Sequence, residues 1–199
     1  MQFVNRYIED AIDILKKIDQ SQVEKMIQIL LDTRENKGRL FLIGVGGSAA
    51  NCSHAVNDFR KLAGIETYSP VDNVAELTAR TNDEGWETVF SSWLETSHIN
   101  SKDVVMVFSV GGGSKEKNVS ANIVHALDKA KEVNARVMGI VGRDGGHTAR
   151  VADACVIVPT VNPDTITPHA EAFQGVIWHL IVADPRLMQI KNKWESLAV

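Results

Sequence analysis

Twice in 199 residues, an unbroken apolar run ends in a cluster of glycine and serine and gives way to polar sequence. The first run is Phe41-Leu42-Ile43-Gly44-Val45-Gly46-Gly47-Ser48, followed at once by a helix-compatible segment from Ala49 to Lys61. The second is Val104-Val105-Met106-Val107-Phe108, which enters Ser109-Val110-Gly111-Gly112-Gly113-Ser114. Glycines let a backbone turn tightly and come close to a ligand. The free amides at a helix start then offer a site for an anion. One such junction alone reads as a tight strand-to-helix turn; two in a small chain point to a phosphorylated small molecule. The first loop is no dinucleotide fingerprint, because Ala49 stands where the third glycine is required, and there is no Walker lysine. Serine beside glycine suits a phosphate monoester held by hydroxyls and backbone amides.

The rest of the chain alternates around these junctions. Residues 1–36 read as a helix pair, with Tyr7, Ile8, Ala11, Ile12, Ile14, Leu15 and Ile18 at helical spacing. Asp19-Gln20-Ser21 marks a break, where Ser21 is expected to cap the second helix and Glu24 to complete a capping box. This pair either covers its own core or packs on another subunit. Strands are expected at 39–44, 103–109, 136–141 and 154–158, with a short extended piece at 67–69. Helices are expected at 48–62, 73–80, 86–95, 120–133, 146–152 and 168–183. Strands separated by helices imply right-handed crossovers and a mostly parallel sheet covered on both faces. The expectation is one α/β domain with a doubly wound, flavodoxin-like or Rossmann-like core over 37–184. The tail, 185–199, is left open between a short helix and a frayed end.

Composition narrows the partners. A formal net charge of −4 argues against nucleic acid as the main partner, since phosphate-backbone binding needs a basic surface. No apolar run is long enough to span a bilayer, and residues 1–6 show no signal-peptide pattern, so a cytoplasmic protein is expected. Cys52 and Cys155 form no metal or redox pair, and Cys155 reads as a reduced, buried thiol.

Three groups of residues can carry chemistry. His54 and Asp58 lie four apart on the helix after the first loop, so they share a face and can orient an acid/base group or ligate a metal. Glu171 and His179 interrupt an otherwise apolar helix, where polar groups are costly unless satisfied. Eight residues at a rise of ~1.5 Å place them ~12 Å apart, so they serve opposite ends of one site or sites in different subunits. Lys115 and Lys117 follow the second loop and read as solvated lysines. His98, His125, His147 and His169 read as surface or capping residues.

Five landmarks, in this order and spacing, resemble the SIS (sugar isomerase) domain family. They are Gly44–Ser48 with His54, Thr81-Asn82-Asp83, Ser109–Ser114, Gly142-Arg143-Asp144-Gly145-Gly146, and the Glu171/His179 helix. Within that family the chain looks most like phosphoheptose isomerases. The resemblance implies an enzyme that converts sedoheptulose 7-phosphate into D-glycero-D-manno-heptose 7-phosphate, as a homotetramer with active sites between subunits. It implies substrate and phosphate contacts from Gly46, Gly47, Ser48, Asn82, Asp83, Ser109, Gly111, Gly112, Gly113 and Ser114. Asp58 is implied as base and His179 as its partner, with Glu171 assisting. Zinc is implied as a cofactor such a site can hold, on His54, Asp58, Glu171 and His179.

This chain departs from the family pattern in three places. Asp58 replaces an expected glutamate and Glu171 an expected glutamine. A loop usually written Ser-Thr-Ser-Gly-Asn-Ser has become Ser-Val-Gly-Gly-Gly-Ser, followed by an insertion over 115–120, with Ser120 as the expected cap of the next helix. The thinned loop keeps an alternative in view, a SIS module that binds a sugar phosphate or a protein partner without turnover. The ionisable residues retained at 54, 58, 171 and 179 favour the enzyme.

Overall fold

Five apolar segments line up as parallel strands: β1 (Leu40–Gly44), β2 (Thr67–Tyr68), β3 (Val104–Ser109), β4 (Arg136–Val141) and β5 (Ala154–Ile157). The computed structural model describes residues 2–197. Their order across the sheet is β2-β1-β3-β4-β5, every pair parallel. Every residue of β1 and β3 is buried, which explains their unbroken apolar sequence: both faces are covered.

The helices are α1 (Gln2–Lys17), α2 (Gln20–Glu35), α3 (Gly47–Lys61), α4 (Val74–Asp83), α5 (Val89–Thr96), α6 (Ala121–Glu132), α7 (Gly146–Val151), α8 (Ile166–Ala183) and α9 (Lys193–Ser196). One face of the sheet, through Leu40, Leu42, Met106 and Phe108, packs on α2, α3 and α8, with Met26, Leu30, Phe59 and Ile177 in the same core. The other, through Phe41, Ile43, Val105 and Val107, packs on α5 and α6. The strand order reverses direction at β1 and β3, where Gly44 pairs in register with Phe108. Both glycine loops therefore leave neighbouring strand ends at the switch point, the usual ligand crevice of such sheets.

Several expectations are corrected. Asp19, not Ser21, caps α2; its carboxylate accepts the Ser21 amide at 2.9 Å. Ser120 does stand at the α6 cap, but in a left-handed conformation with no side-chain hydrogen bond to the helix. Helix α5 starts at Val89 rather than 86, after a turn through Gly85. His169 is buried and stacks on Tyr7 at a centroid distance of 4.2 Å, while His147 is buried beside Asp128. Cys155 is only partly buried, although burial still pushes its thiol up to about 12; Cys52 is fully buried. The tail forms the short helix α9 with Trp194 exposed; its last two residues lie outside the described ones.

Helix α1 lays little apolar surface on the core. Only Ile14 is buried, whereas Phe3, Val4, Ile8, Ile12 and Leu15 face outward. No residue of helix α4 is fully buried, though Leu77 packs partly on the core.

Candidate active site

The acid/base cluster begins with helical spacing on α3 and is completed by α8, which packs against it. Four residues after His54, Asp58 turns toward α8, whose Trp178 donates its indole N–H to Asp58 Oδ2 at 3.0 Å. Asn57 donates to the other carboxylate oxygen, also at 3.0 Å. His54 Nε2 stands 3.5 Å and His179 Nε2 3.4 Å from Asp58 Oδ2. The Asp58 side chain is only 10% exposed, against 57% for His54 and 52% for His179. A fixed, nearly buried carboxylate thus lies under two half-exposed imidazoles.

His179 Nδ1 lies 2.7 Å from the Gly175 carbonyl. That carbonyl can only accept, so Nδ1 carries a proton, and in the neutral ring Nε2 then presents a lone pair toward Asp58. A lone pair facing a carboxylate oxygen at 3.4 Å is repulsive unless a proton or a cation lies between them. The three ligand atoms of His54, Asp58 and His179 all fall within 4.8 Å of one another. Two imidazoles, a carboxylate and a backbone carbonyl orienting one imidazole form a donor set that suits zinc. Glu171 is not in this group.

Glu171 lies at the opposite end of the same helix, against the first glycine loop. A Cβ placed on Gly47 would stand 2.5 Å from a Glu171 carboxylate oxygen, so a side chain there would push the Glu171 carboxylate aside. A carboxylate at the first residue of α3 is favoured by the helix dipole. Beside it, Gln174 donates to Ser48 Oγ at 3.0 Å and accepts from Asn51 at 2.8 Å. Ser48 is fully buried yet borders the cavity between the loops.

That cavity, of about 730 Å³, is lined by Ser48, Ser109, Gly111, Gly113, Ser114 and Arg143. Its second wall is the Ser109–Ser114 loop, clamped on the start of α7. Gly113 accepts the His147 amide at 2.8 Å, and Gly112 accepts both the amide and the hydroxyl of Thr148, at 2.9 and 2.8 Å. Gly112 has φ +69, and a Cβ there would meet the Gly145 carbonyl oxygen at 2.0 Å. Glycine is obligatory at that position.

The structure therefore brings Ser48 together with Ser109, Gly111, Gly113 and Ser114, and brings His54 together with Asp58 and His179. Gly46 and Gly47 turn the chain into α3. Asn82 and Asp83 lie elsewhere, exposed at the end of α4 and bonded to each other. Lys115 pairs with Asp128 at 2.8 Å, and Lys117 joins the cavity rim. His179 borders a different hollow of about 430 Å³, with Leu62, Met188 and Lys191. Sequence reasoning missed Trp178 and Gln174, which an apolar helix pattern absorbs, and gave Arg143 no role beyond its place in a glycine-rich landmark. A polar Gln174 one turn after Glu171 was the available signal.

Known proteins share this architecture. The SIS domain model matches residues 6–142. A phosphoheptose isomerase of Helicobacter pylori (strain P12) is 29% identical over 167 residues, covering 81% of each chain. That of Aneurinibacillus thermoaerophilus is 27% identical over 205 residues, covering 98% of each. The solved phosphoheptose isomerase of Neisseria gonorrhoeae superposes with a TM-score of 0.77 at 23% identity, covering 91% of this chain and 96% of that one. The family match covers well over half of the chain and runs through both glycine loops and α3, and on that ground the chain belongs to the SIS domain family.

Proposed function

We propose that the protein is an aldose–ketose isomerase acting on a sugar phosphate, with sedoheptulose 7-phosphate as substrate and D-glycero-D-manno-heptose 7-phosphate as product. The observation that carries this reading is the buried Asp58 carboxylate, held by Trp178 and flanked by His54 and His179. Relatives similar over most of their length are phosphoheptose isomerases, which supports the same substrate class.

In this reading the loop cavity takes the phosphate and Asp58 takes a proton from the carbon next to the ketone, giving an enediol. His179 passes a proton between the two oxygens, and the neighbouring carbon is reprotonated. Trp178 keeps the carboxylate oriented through this cycle. Glu171, on the loop side of α8, assists at the other end of the substrate. His54, Asp58 and His179 would hold a zinc ion, which when bound supplies a positive charge that polarises a carbonyl oxygen.

The whole chain acts as one SIS domain, in the cytoplasm. Among the described residues no helix is long and apolar enough to cross a membrane. The active form is the homotetramer that the family resemblance implies, with the site shared between subunits. Three features support it: the outward apolar stripe of α1, exposed Val176 and Leu180 beside His179, and an acid/base cluster that opens away from the anion cavity. Incubating the protein with sedoheptulose 7-phosphate and following aldose formation tests the reading. Turnover that Asp58→Asn abolishes supports it. Binding of sugar phosphate with no turnover on heptose, hexose or pentose phosphates contradicts it.

A further inference from the structure

Both serine hydroxyls of the second glycine loop bond within the loop and its insertion. Ser109 Oγ accepts the amides of Gly112 and Gly111 at 3.0 and 3.4 Å. Ser114 Oγ donates to Glu116 at 3.0 Å and accepts the Lys117 amide at 3.2 Å. The inserted segment folds back through an antiparallel bridge between Ser114 and Val119, which brings residues 116 and 117 to the cavity rim. Glu116 takes the Ser114 O–H, so of the loop's two serine hydroxyls only that of Ser109, which accepts but does not donate, keeps a proton for a phosphate dianion.

Five charged side chains border the cavity, and three of them are engaged. Arg150 pairs with Glu116 at 3.6 Å, and Asp144 accepts the Gly146 amide at 3.2 Å. Arg143 and Lys117 remain, with no side-chain hydrogen bond or ion pair to any described residue. Arg143 also holds a left-handed backbone, φ +54, in a turn where glycine would relax. Its side chain passes over the second loop, since a Cβ on Gly111 would lie 3.5 Å from Arg143 Cδ.

We propose that Arg143, aided by Lys117, anchors the substrate phosphate by charge, making up for the hydroxyls that the second loop lacks and for the Ser114 hydroxyl held by Glu116. A guanidinium offers paired donors matched to phosphate oxygens, and such charge-assisted bonds are stronger than those from neutral hydroxyls. The inference rests on the sugar-phosphate reading above.

Titration calorimetry with inorganic phosphate, and separately with sedoheptulose 7-phosphate, tests it on the wild type, Arg143→Gly, Arg143→Lys and Lys117→Gln. Exposed Lys25→Gln on α2 controls for net charge. Arg143→Gly removes the charge while suiting the left-handed backbone, so its melting temperature is expected to hold. Its affinity for both ligands should fall about ten- to a hundredfold. KM should rise by the same factor, with kcat within about threefold of wild type. Arg143→Lys should recover part of the loss, Lys117→Gln should lose less, and Lys25→Gln should lose nothing.

Unchanged phosphate affinity in Arg143→Gly overturns the proposal, as does a fall in kcat with KM intact. Wild type that binds phosphate through Arg143 but isomerises no sugar phosphate leaves the anchor standing and removes the isomerase. Turnover with an unaltered KM in Arg143→Gly does the reverse.

Discussion

The two glycine loops leave neighbouring strands at the same edge of the sheet, yet they are held in opposite ways. The Gly44–Ser48 loop runs without interruption into α3, and its serine is fixed from the side by Gln174 of α8. The Ser109–Ser114 loop meets no helix of its own until Ala121; it is fixed by the α7 backbone and a folded insertion. The same two helices that brace the first loop carry Asp58, Trp178 and His179. Both loops line the same cavity, but the first is coupled through α3 and α8 to the Asp58 cluster, while the second is tied to α7 and the charged rim.

The largest effects should separate the two sides of that comparison. On the first side, Asp58→Asn and His179→Ala should each lower kcat by about 10²–10⁴, the usual yield of a positioned acid or base. Phosphate affinity should stay near wild type, as titration would show. A mixture of His179→Ala and Arg143→Gly subunits, unfolded and reassembled together, should regain activity that neither parent shows at low substrate. No regain would place both halves of the site in one subunit.

Next in size is the structural contrast between Gly112 and Gly46. Both have positive φ, but Gly112→Ala drives a methyl into the Gly145 carbonyl, while a Cβ on Gly46 meets nothing within 4 Å. Thermal or denaturant melts should show a loss of about 3 kcal/mol for Gly112→Ala and about 1–2 kcal/mol for Gly46→Ala. Equal losses would mean that the second loop is not clamped as described.

The positions hardest to read in sequence lie where the partner comes from elsewhere in the chain. The strands were legible because β1 and β3 are buried on both faces and so are apolar throughout. His54 and Asp58 were legible because helical spacing alone puts them together. Trp178 looks like core from its neighbours, and its N–H finds Asp58 only across 120 residues. Asn82 and Asp83 were expected at the substrate from motif order, and within one subunit they stay at the exposed end of α4. Asp19 displaced Ser21 as the α2 cap because its carboxylate reaches both the Ser21 amide and hydroxyl.

The smallest expected effect concerns acid. Burial lowers His147 from its ordinary 6.5, and the nearby Asp128 only partly opposes this. A base whose folded pKa is depressed supports the fold above its unfolded value and withdraws that support as pH falls. The clamp on the second loop should therefore weaken below about pH 6.5, by less than about 1 kcal/mol, and His147→Asn should flatten the trend in melts between pH 7 and 5.

The central claim is that Asp58, on the helix launched by the first loop, takes the proton in an aldose–ketose isomerisation. Proton exchange reads that step directly: sedoheptulose 7-phosphate is incubated with enzyme in heavy water, and deuterium entering beside the ketone is followed by NMR. The account predicts exchange with the wild type and with Arg143→Gly at saturating substrate, and none above background with Asp58→Asn. Exchange by Asp58→Asn at the wild-type rate would contradict it.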